Sequence, residues 1–297
     1  MKLMRVLFIV CAAWCLAITA KAAEKFEIIA DVAYDHKDDL QSLDVVKPPH
    51  ANGAAVVCFC SGFWHSCRQP PEATLVAGAS YPYFGWFECR ALLDKGFTLF
   101  LVRHRTGEKK HLLPEIVDDV HRSLRFIRYN AKRYGVDPER LGVTGCSSGG
   151  HLALMAATTG DDGDPKAKDE LLRTGDRVAV AVAYMPPTDL RPWFLTNEHN
   201  HWEALRFDAR LAGAYSPLAL VTPKTAPTLL IHGDKDFGVP FQLSQKMLAE
   251  CQRQHVPCEL LLIKGAGHGF AGADRKQAEV ARDAWFVKYL LPAKAQK

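Results

Sequence analysis

Gly145-Cys146-Ser147-Ser148-Gly149-Gly150 decides how the rest of the chain is read. It has the G-x-S-x-G form of a nucleophile elbow, with Ser147 at its centre. Arg140-Leu-Gly-Val-Thr144 before it is short, apolar and partly β-branched, as a buried strand is. His151-Leu-Ala-Leu-Met-Ala-Ala157 after it consists largely of strong helix formers. Strand, sharp turn and helix are the context the motif requires. The glycines at 145 and 149 have a steric reason, since side chains there would strike the flanking strand and helix. Ser147 then projects at the positive end of a helix, where an oxyanion is stabilised.

A serine hydroxyl needs a base, and the base needs an orienting acid. Later strands supply both, in the order Ser, Asp, His. Ile231-His-Gly-Asp-Lys-Asp236 follows a strand at 228–232, and Gly265-Ala-Gly-His268-Gly-Phe270 follows one at 259–263. Of the twelve histidines, His268 is the best base, because glycines on either side leave its ring free to reach the serine. His151 and His232 fall in the elbow helix and at a strand end, where structural roles are expected. His199 and His201 lie in the 186–225 segment and read as solvated. Asp234 and Asp236 are both placed to be the acid, and spacing does not choose between them. The oxyanion hole needs backbone N–H groups from the residue after the nucleophile and from an early loop. Ser148 supplies the first, and the loop Cys60-Ser61-Gly62-Phe63-Trp64 the second.

Outward from the elbow, strands alternate with helices. Strands read at 26–34 and 43–47 as an antiparallel edge, and at 54–60, 97–102 and 177–184. Helices read at 84–95, 114–134, 240–255 and 274–290. The helix from Pro114 has one apolar face (Ile116, Val120, Leu124, Ile127), with acids early and bases late. The last helix carries Val280, Ala284, Val287 and Leu290 on one side. Residues 186–225 hold Pro, Trp and His without a long period and read as a lid or cap insert. The pattern predicts an α/β fold, a mostly parallel twisted sheet with helices on both faces.

The 297 residues suit one large α/β domain, and 48% hydrophobic with 24% charged residues can bury a sizeable core. Lys2 and Arg5 precede an apolar run from Val6 to Ala20, and Ala20-Lys21-Ala22 is an A-x-A cleavage site. Residues 1–22 therefore read as a secretory signal peptide, and 23–297 as the single α/β domain. Trp14 before Cys15 argues against a lipoprotein site. Removing Lys2, Arg5 and Lys21 lowers the net charge from +4 to +1. A near-neutral exported protein gives no reason to expect nucleic acid, and no other run is long enough for a membrane anchor. Seven of nine cysteines remain after cleavage. Export permits disulfides, with Cys251/Cys258 and Cys60/Cys67 as the local pairs to examine. No Cys/His spacing suggests zinc. Oligomeric state is not set by the sequence.

These residues resemble the α/β-hydrolase superfamily, and within it the hormone-sensitive-lipase-like and BD-FAE-like serine esterases. The likeness runs through nearly all of the mature chain. It includes Tyr34, Leu43-Asp-Val, Pro114-Glu-Ile-Val-Asp-Asp119, Tyr134-Gly-Val-Asp-Pro-Glu-Arg-Leu-Gly-Val, the elbow, Met185-Pro-Pro-Thr-Asp-Leu190, Tyr215-Ser-Pro217 and Ala226-Pro-Thr-Leu-Leu-Ile-His-Gly-Asp-Lys-Asp236. The acid of such esterases is the second Asp of the H-G-x-x-D pattern, which selects Asp236. One departure is plain. Relatives usually carry His-Gly-Gly-Gly in the oxyanion loop, where this chain has Cys60-Ser61-Gly62-Phe63.

The resemblance implies an exported (periplasmic or extracellular) hydrolase of small carboxylic esters. Ser147 would be nucleophile, His268 base and Asp236 acid, with Gly62, Phe63 and Ser148 as oxyanion donors and no metal or organic cofactor. The substrate would be a small-molecule or carbohydrate ester. Phe63 and Trp64 beside the hole would narrow the acyl pocket. Tyr81, Tyr83, Phe84, Trp86, Trp193 and Trp202 could stack on sugars, as in a polysaccharide deacetylase or feruloyl-type esterase, although core packing is the plainer reading. A prolyl-oligopeptidase-like peptidase shares the core but usually carries a large extra domain. A catalytically silent binding module on the same fold is the reading from another class.

Overall fold

The structure is a computed structural model that describes residues 26–68, 71, 89–107 and 110–292. The candidate signal peptide and the aromatics at 81, 83, 84 and 86 lie outside the described residues.

Eight strands form one sheet: β1 (Glu27–Ala33), β2 (Ser42–Lys47), β3 (Ala55–Phe59), β4 (Thr98–Val102), β5 (Leu141–Cys146), β6 (Val180–Tyr184), β7 (Thr228–Gly233) and β8 (Cys258–Ile263). Their order is β1-β2-β4-β3-β5-β6-β7-β8. β1 pairs antiparallel with β2, and β2 with β4. All later pairings are parallel. This is the α/β-hydrolase fold the sequence implies. The helices are α1 (Arg90–Asp94), α2 (Leu113–Tyr129), α3 (Ala131–Tyr134), α4 (Ser148–Thr159), α5 (Arg191–Leu195), α6 (Gln242–Arg253) and α7 (Gly272–Leu290).

The central strands are buried on both faces, so they read as continuous apolar runs. Val57, Phe100 and Val143 pack with Ile116, Val120, Leu124 and Leu152 of α2 and α4. Their neighbours Val56, Leu99 and Val182 pack with Leu92, Leu93 and Phe286 of α1 and α7. Burying a side chain such as Phe286 contributes about 1.5–3 kcal/mol.

The chain order reverses at β3. β4 lies on one side of it and β5 on the other, and all three run in the same direction. The loops after β3 and β5 therefore diverge and open a crevice at the carboxyl end of the sheet, where ligands bind in such folds. The elbow follows β5, and the candidate oxyanion loop follows β3.

Two elements differ from the sequence reading. The helix expected over 114–134 breaks at Asn130 into α2 and α3. Asn130 Nδ2 donates to the Phe126 carbonyl at 2.9 Å, the local competition expected of an Asn in a helix. In α7, Val280 is 56% exposed and does not face the core. The buried face instead carries Ala278, Arg282, Trp285 and Phe286. The two large aromatics set the rotation of the helix, and Arg282 is buried with its guanidinium on Asp283 at 2.7 Å. Periodicity of small apolar residues misread this face because a paired charge occupies it.

Residues 186–225 contain α5 and four short 3₁₀ segments at Glu198–His201, Glu203–Leu205, Ala209–Tyr215 and Pro217–Leu220. Turns this short explain the lack of a 3.6-residue period. The cysteines at 58, 60, 89, 251 and 258 are thiols that form no disulfide. Cys251 and Cys258 share a side-chain hydrogen bond, and so do Cys58 and Cys89. No helix among the described residues is long and apolar enough to cross a membrane.

Candidate active site

Ser147 has φ 52° and ψ −118°, a left-handed conformation rare for a side-chain-bearing residue. The fold holds it there from both sides. Ser147 N–H donates to the Tyr184 carbonyl at 2.9 Å, and its carbonyl accepts from His151 N–H at 2.9 Å. A Cβ at Gly145 would lie 2.4 Å from the Gly149 backbone, and one at Gly149 would lie 2.6 Å from the Phe59 carbonyl oxygen. Both elbow glycines are therefore required by close approach.

Ser147 Oγ lies 3.0 Å from His268 Nε2, and His268 Nδ1 lies 2.7 Å from Asp236 Oδ2. The structure thus brings together the three side chains picked from the sequence. With Nδ1–H donating to the carboxylate, Nε2 is free to accept the serine proton.

Asp236 is the most heavily bonded side chain of the site. Oδ1 accepts from the N–H groups of Gly238 and Val239, each at 2.8 Å. Oδ2 accepts from His268 and also faces His232 Nε2 at 3.2 Å. Burial raises the Asp236 carboxyl pKa, but hydrogen bonds from His232, His268 and Val239 outweigh it. The group stays well below the usual carboxylate range, hence ionised. His232 is fixed in turn, with Nδ1 2.8 Å from Ser244 Oγ and Nε2 2.9 Å from the Val239 carbonyl. Sequence reasoning gave His232 a purely structural role. Its signal was its place four residues before Asp236.

Asp234 has a different task. Its Oδ1 accepts from Gly265 N–H at 2.6 Å and so clips the loop that carries His268. Lys235 N–H reinforces the clip by donating to the Ala266 carbonyl at 2.9 Å.

The loop after β3 corrects one expectation. Gly62 N–H donates to the His65 carbonyl at 3.0 Å, and His65 N–H returns a bond to Gly62 at 2.8 Å. Gly62 N–H is thus engaged inside a tight turn and is not presented to the crevice. The central residues of that turn, Phe63 and Trp64, have φ of 54° and 58°. Positive φ at both central positions is the demand of a type I′ turn, normally met by Asn or Gly. Phe63 N–H is not part of the Gly62–His65 pairing. Ser148, first residue of α4, has an N–H without an acceptor in its own helix. Ser61 and Ser148 hydroxyls meet at 3.0 Å and tie the loop to the elbow.

A cavity of about 150 Å³ opens over Ser147 and His268. Its walls include Phe63, Trp64, Trp193 and Trp202. Trp193 and Trp202 stack with centroids 4.7 Å apart, and both meet Trp64 edge-on. The two tryptophans from 186–225 therefore border the cavity, whereas core packing was the plainer reading of the sequence. Phe63 is 57% exposed and borders the mouth, while Trp64 is 2% exposed. His199 points elsewhere, stacked on Phe194 at 4.2 Å. No cluster of His, Cys, Asp or Glu among the described residues could hold a metal ion.

Comparison with known proteins agrees with this architecture. A carbohydrate esterase from gut microbiota, in truncated form, superposes with a TM-score of 0.73 over 92% of this chain and 99% of its own, at 23% identity. Esterase LipC of Mycobacterium tuberculosis is 28% identical over 63% of this chain and 48% of its own length. Esterase LipQ of the same organism is 31% identical over 46% of this chain and 34% of its own length. The chain thus spans half or less of the length of these curated relatives. The BD-FAE family profile matches residues 76–250, more than half of the 297, and the chain belongs to the BD-FAE family of the α/β-hydrolase fold.

Proposed function

We propose that the chain hydrolyses carboxylic esters through an acyl-enzyme on Ser147. The observation that carries this is the unbroken hydrogen-bonded line from Asp236 through His268 to Ser147 Oγ, at 2.7 and 3.0 Å. Ser147 Oγ attacks the ester carbonyl while His268 Nε2 takes its proton. The imidazolium so formed is stabilised by Asp236, whose four donors keep it ionised. The carbonyl oxygen, now an oxyanion, is held by the N–H groups of Ser148 and Phe63 at the positive end of α4. His268 Nε2 then protonates the departing alkoxide. Water, activated by the same nitrogen, attacks the acyl carbon and releases the acid and free Ser147. The esterase names of LipC and LipQ support the reaction class.

The test is hydrolysis of p-nitrophenyl acetate by wild type and Ser147→Ala. The variant should lose at least about 10⁴-fold in kcat at unchanged melting temperature. Retention of wild-type turnover would rule the mechanism out.

We also propose that the protein is exported, from Lys2, Arg5, the apolar run to Ala20 and the small residues at 20 and 22. Sequencing the N-terminus of protein recovered outside the cytoplasm should find Ala23. Recovery with residues 1–22 attached would refute cleavage.

A further inference from the structure

Trp64 borders the cavity above Ser147 yet is almost wholly buried, so most of its surface is spent on being held. Its indole Nε1–H donates to His151 Nδ1 at 3.3 Å. Nδ1 can accept only if the ring proton sits on Nε2, and Nε2 lies 2.8 Å from the Tyr215 carbonyl, to which it donates. The two bonds fix one tautomer and one ring orientation of His151. His151 is itself fixed to the elbow, one turn after Ser147, through its N–H on the Ser147 carbonyl. The indole plane is therefore referenced directly to the nucleophile. Trp193 and Trp202 brace it edge-on.

The side of the serine that this wall occupies follows from the chemistry. The leaving oxygen must approach His268 Nε2 to be protonated, so the alcohol departs past His268 and its neighbours Gly238 and Val239. The carbonyl oxygen points to the N–H groups of Ser148 and Phe63, and Trp64 directly follows Phe63. The acyl chain then runs toward the tryptophans. A cavity of about 150 Å³ is of the size that holds one benzene ring. That volume, closed on one side by the tryptophans, suits a short acyl group.

We propose that Trp64, held in one orientation by His151, is the end wall of the acyl pocket and restricts the enzyme to short acyl groups. This rests on the ester-hydrolase reading above. His151 is a positioning residue, acting on specificity through Trp64 and not on the reacting atoms.

The experiment measures kcat/KM for p-nitrophenyl acetate, butyrate and octanoate, with active sites counted by a phosphonate ester. Wild type should prefer acetate. Trp64→Leu should raise the octanoate-to-acetate ratio by about tenfold or more, since each methylene newly accommodated is worth at least that. Trp64→Phe should raise it less, which keeps the test open if the leucine variant misfolds. His151→Leu should raise the ratio in the same direction. His151→Gln, whose amide can accept from the indole and donate to Tyr215, should restore it. A ratio unmoved in both Trp64 variants with intact active sites would overturn the wall. A ratio unmoved in His151→Leu would overturn the positioning role, because a merely structural histidine would change stability alone. If wild type cleaves none of the esters and the phosphonate does not react, the ester-hydrolase reading itself fails.

Discussion

The loop after β7 and the loop after β3 serve the same serine by opposite means. The first works through side chains: Asp236 is ringed by four donors and presents one oxygen to His268. The second is built from backbone: a turn with Phe63 and Trp64 at positive φ borders the cavity over the serine, while its Gly62 amide is consumed by His65, which leaves Phe63 N–H as the donor proposed above. A carboxylate can be recognised by its residue type. A backbone donor cannot, because every residue except proline has an N–H and only the turn decides where it points.

The largest contrast lies within the β7 loop. Asp236→Asn should lower kcat by about 10³–10⁴-fold, because an amide neither holds the His268 tautomer nor stabilises the imidazolium. Asp234→Asn keeps an acceptor for Gly265 N–H and should change kcat by no more than about threefold, with a loss in stability of about 1–2 kcal/mol. Steady-state kinetics with thermal melts on both variants separate the two roles. Equal losses in kcat would erase the distinction.

The β3 loop gives the next effect. Phe63→Pro deletes the amide and, because proline cannot take φ 54°, also unmakes the turn, so kcat should fall by at least the roughly 10²–10³-fold that loss of one oxyanion donor costs. Phe63→Gly keeps the N–H and favours positive φ, so acetate turnover should stay within about threefold of wild type. Were glycine as damaging as proline, the Phe side chain, not the amide, would be the working part.

The smallest effect concerns acid. Burial lowers the pKa of His151 from 6.5 to about 4, partly offset by its bond to Tyr215, so the folded state binds fewer protons than the unfolded between those values. Stability must therefore fall as pH drops from 6.5 toward 4, by on the order of 3 kcal/mol from this group. His104, lowered to about 4 by burial, adds in the same direction. Asp236, depressed, loses its contribution only below the ordinary carboxylate range. The brace of the β3 loop should thus be the more acid-sensitive of the two. Melting curves from pH 7 to 4 should show a shallower slope in His151→Gln than in wild type. Identical slopes would mean that His151 is not held neutral.

What the sequence revealed follows the same division. Ser147 and His268 could be picked out because each chemical role demands a residue type at the end of a strand, whereas Asp234 and Asp236 met that demand equally and only the family resemblance chose Asp236. The parallel sheet was legible because strands buried on both faces are apolar throughout. The engagement of Gly62 was not, because it depends on a turn closed by His65. The face of α7 was misread because Arg282 is buried against Asp283, a pairing invisible to an apolar count. A substrate-facing place for Trp193 and Trp202 was weighed but not preferred, because segments this short leave no period to show which face meets the site. His151 drew attention only as part of the elbow helix, while its partner Trp64 is 87 residues away in sequence.

The proposed mechanism stands or falls with Ser147 as the nucleophile. The most direct measurement is peptide mass spectrometry after incubation with a p-nitrophenyl phosphonate, alongside loss of esterase activity. The predicted result is one phosphonyl adduct per chain on Ser147, rising in step with inactivation and absent in Ser147→Ala. An adduct on another residue that tracks inactivation, or ester hydrolysis that survives full modification of Ser147, would contradict it.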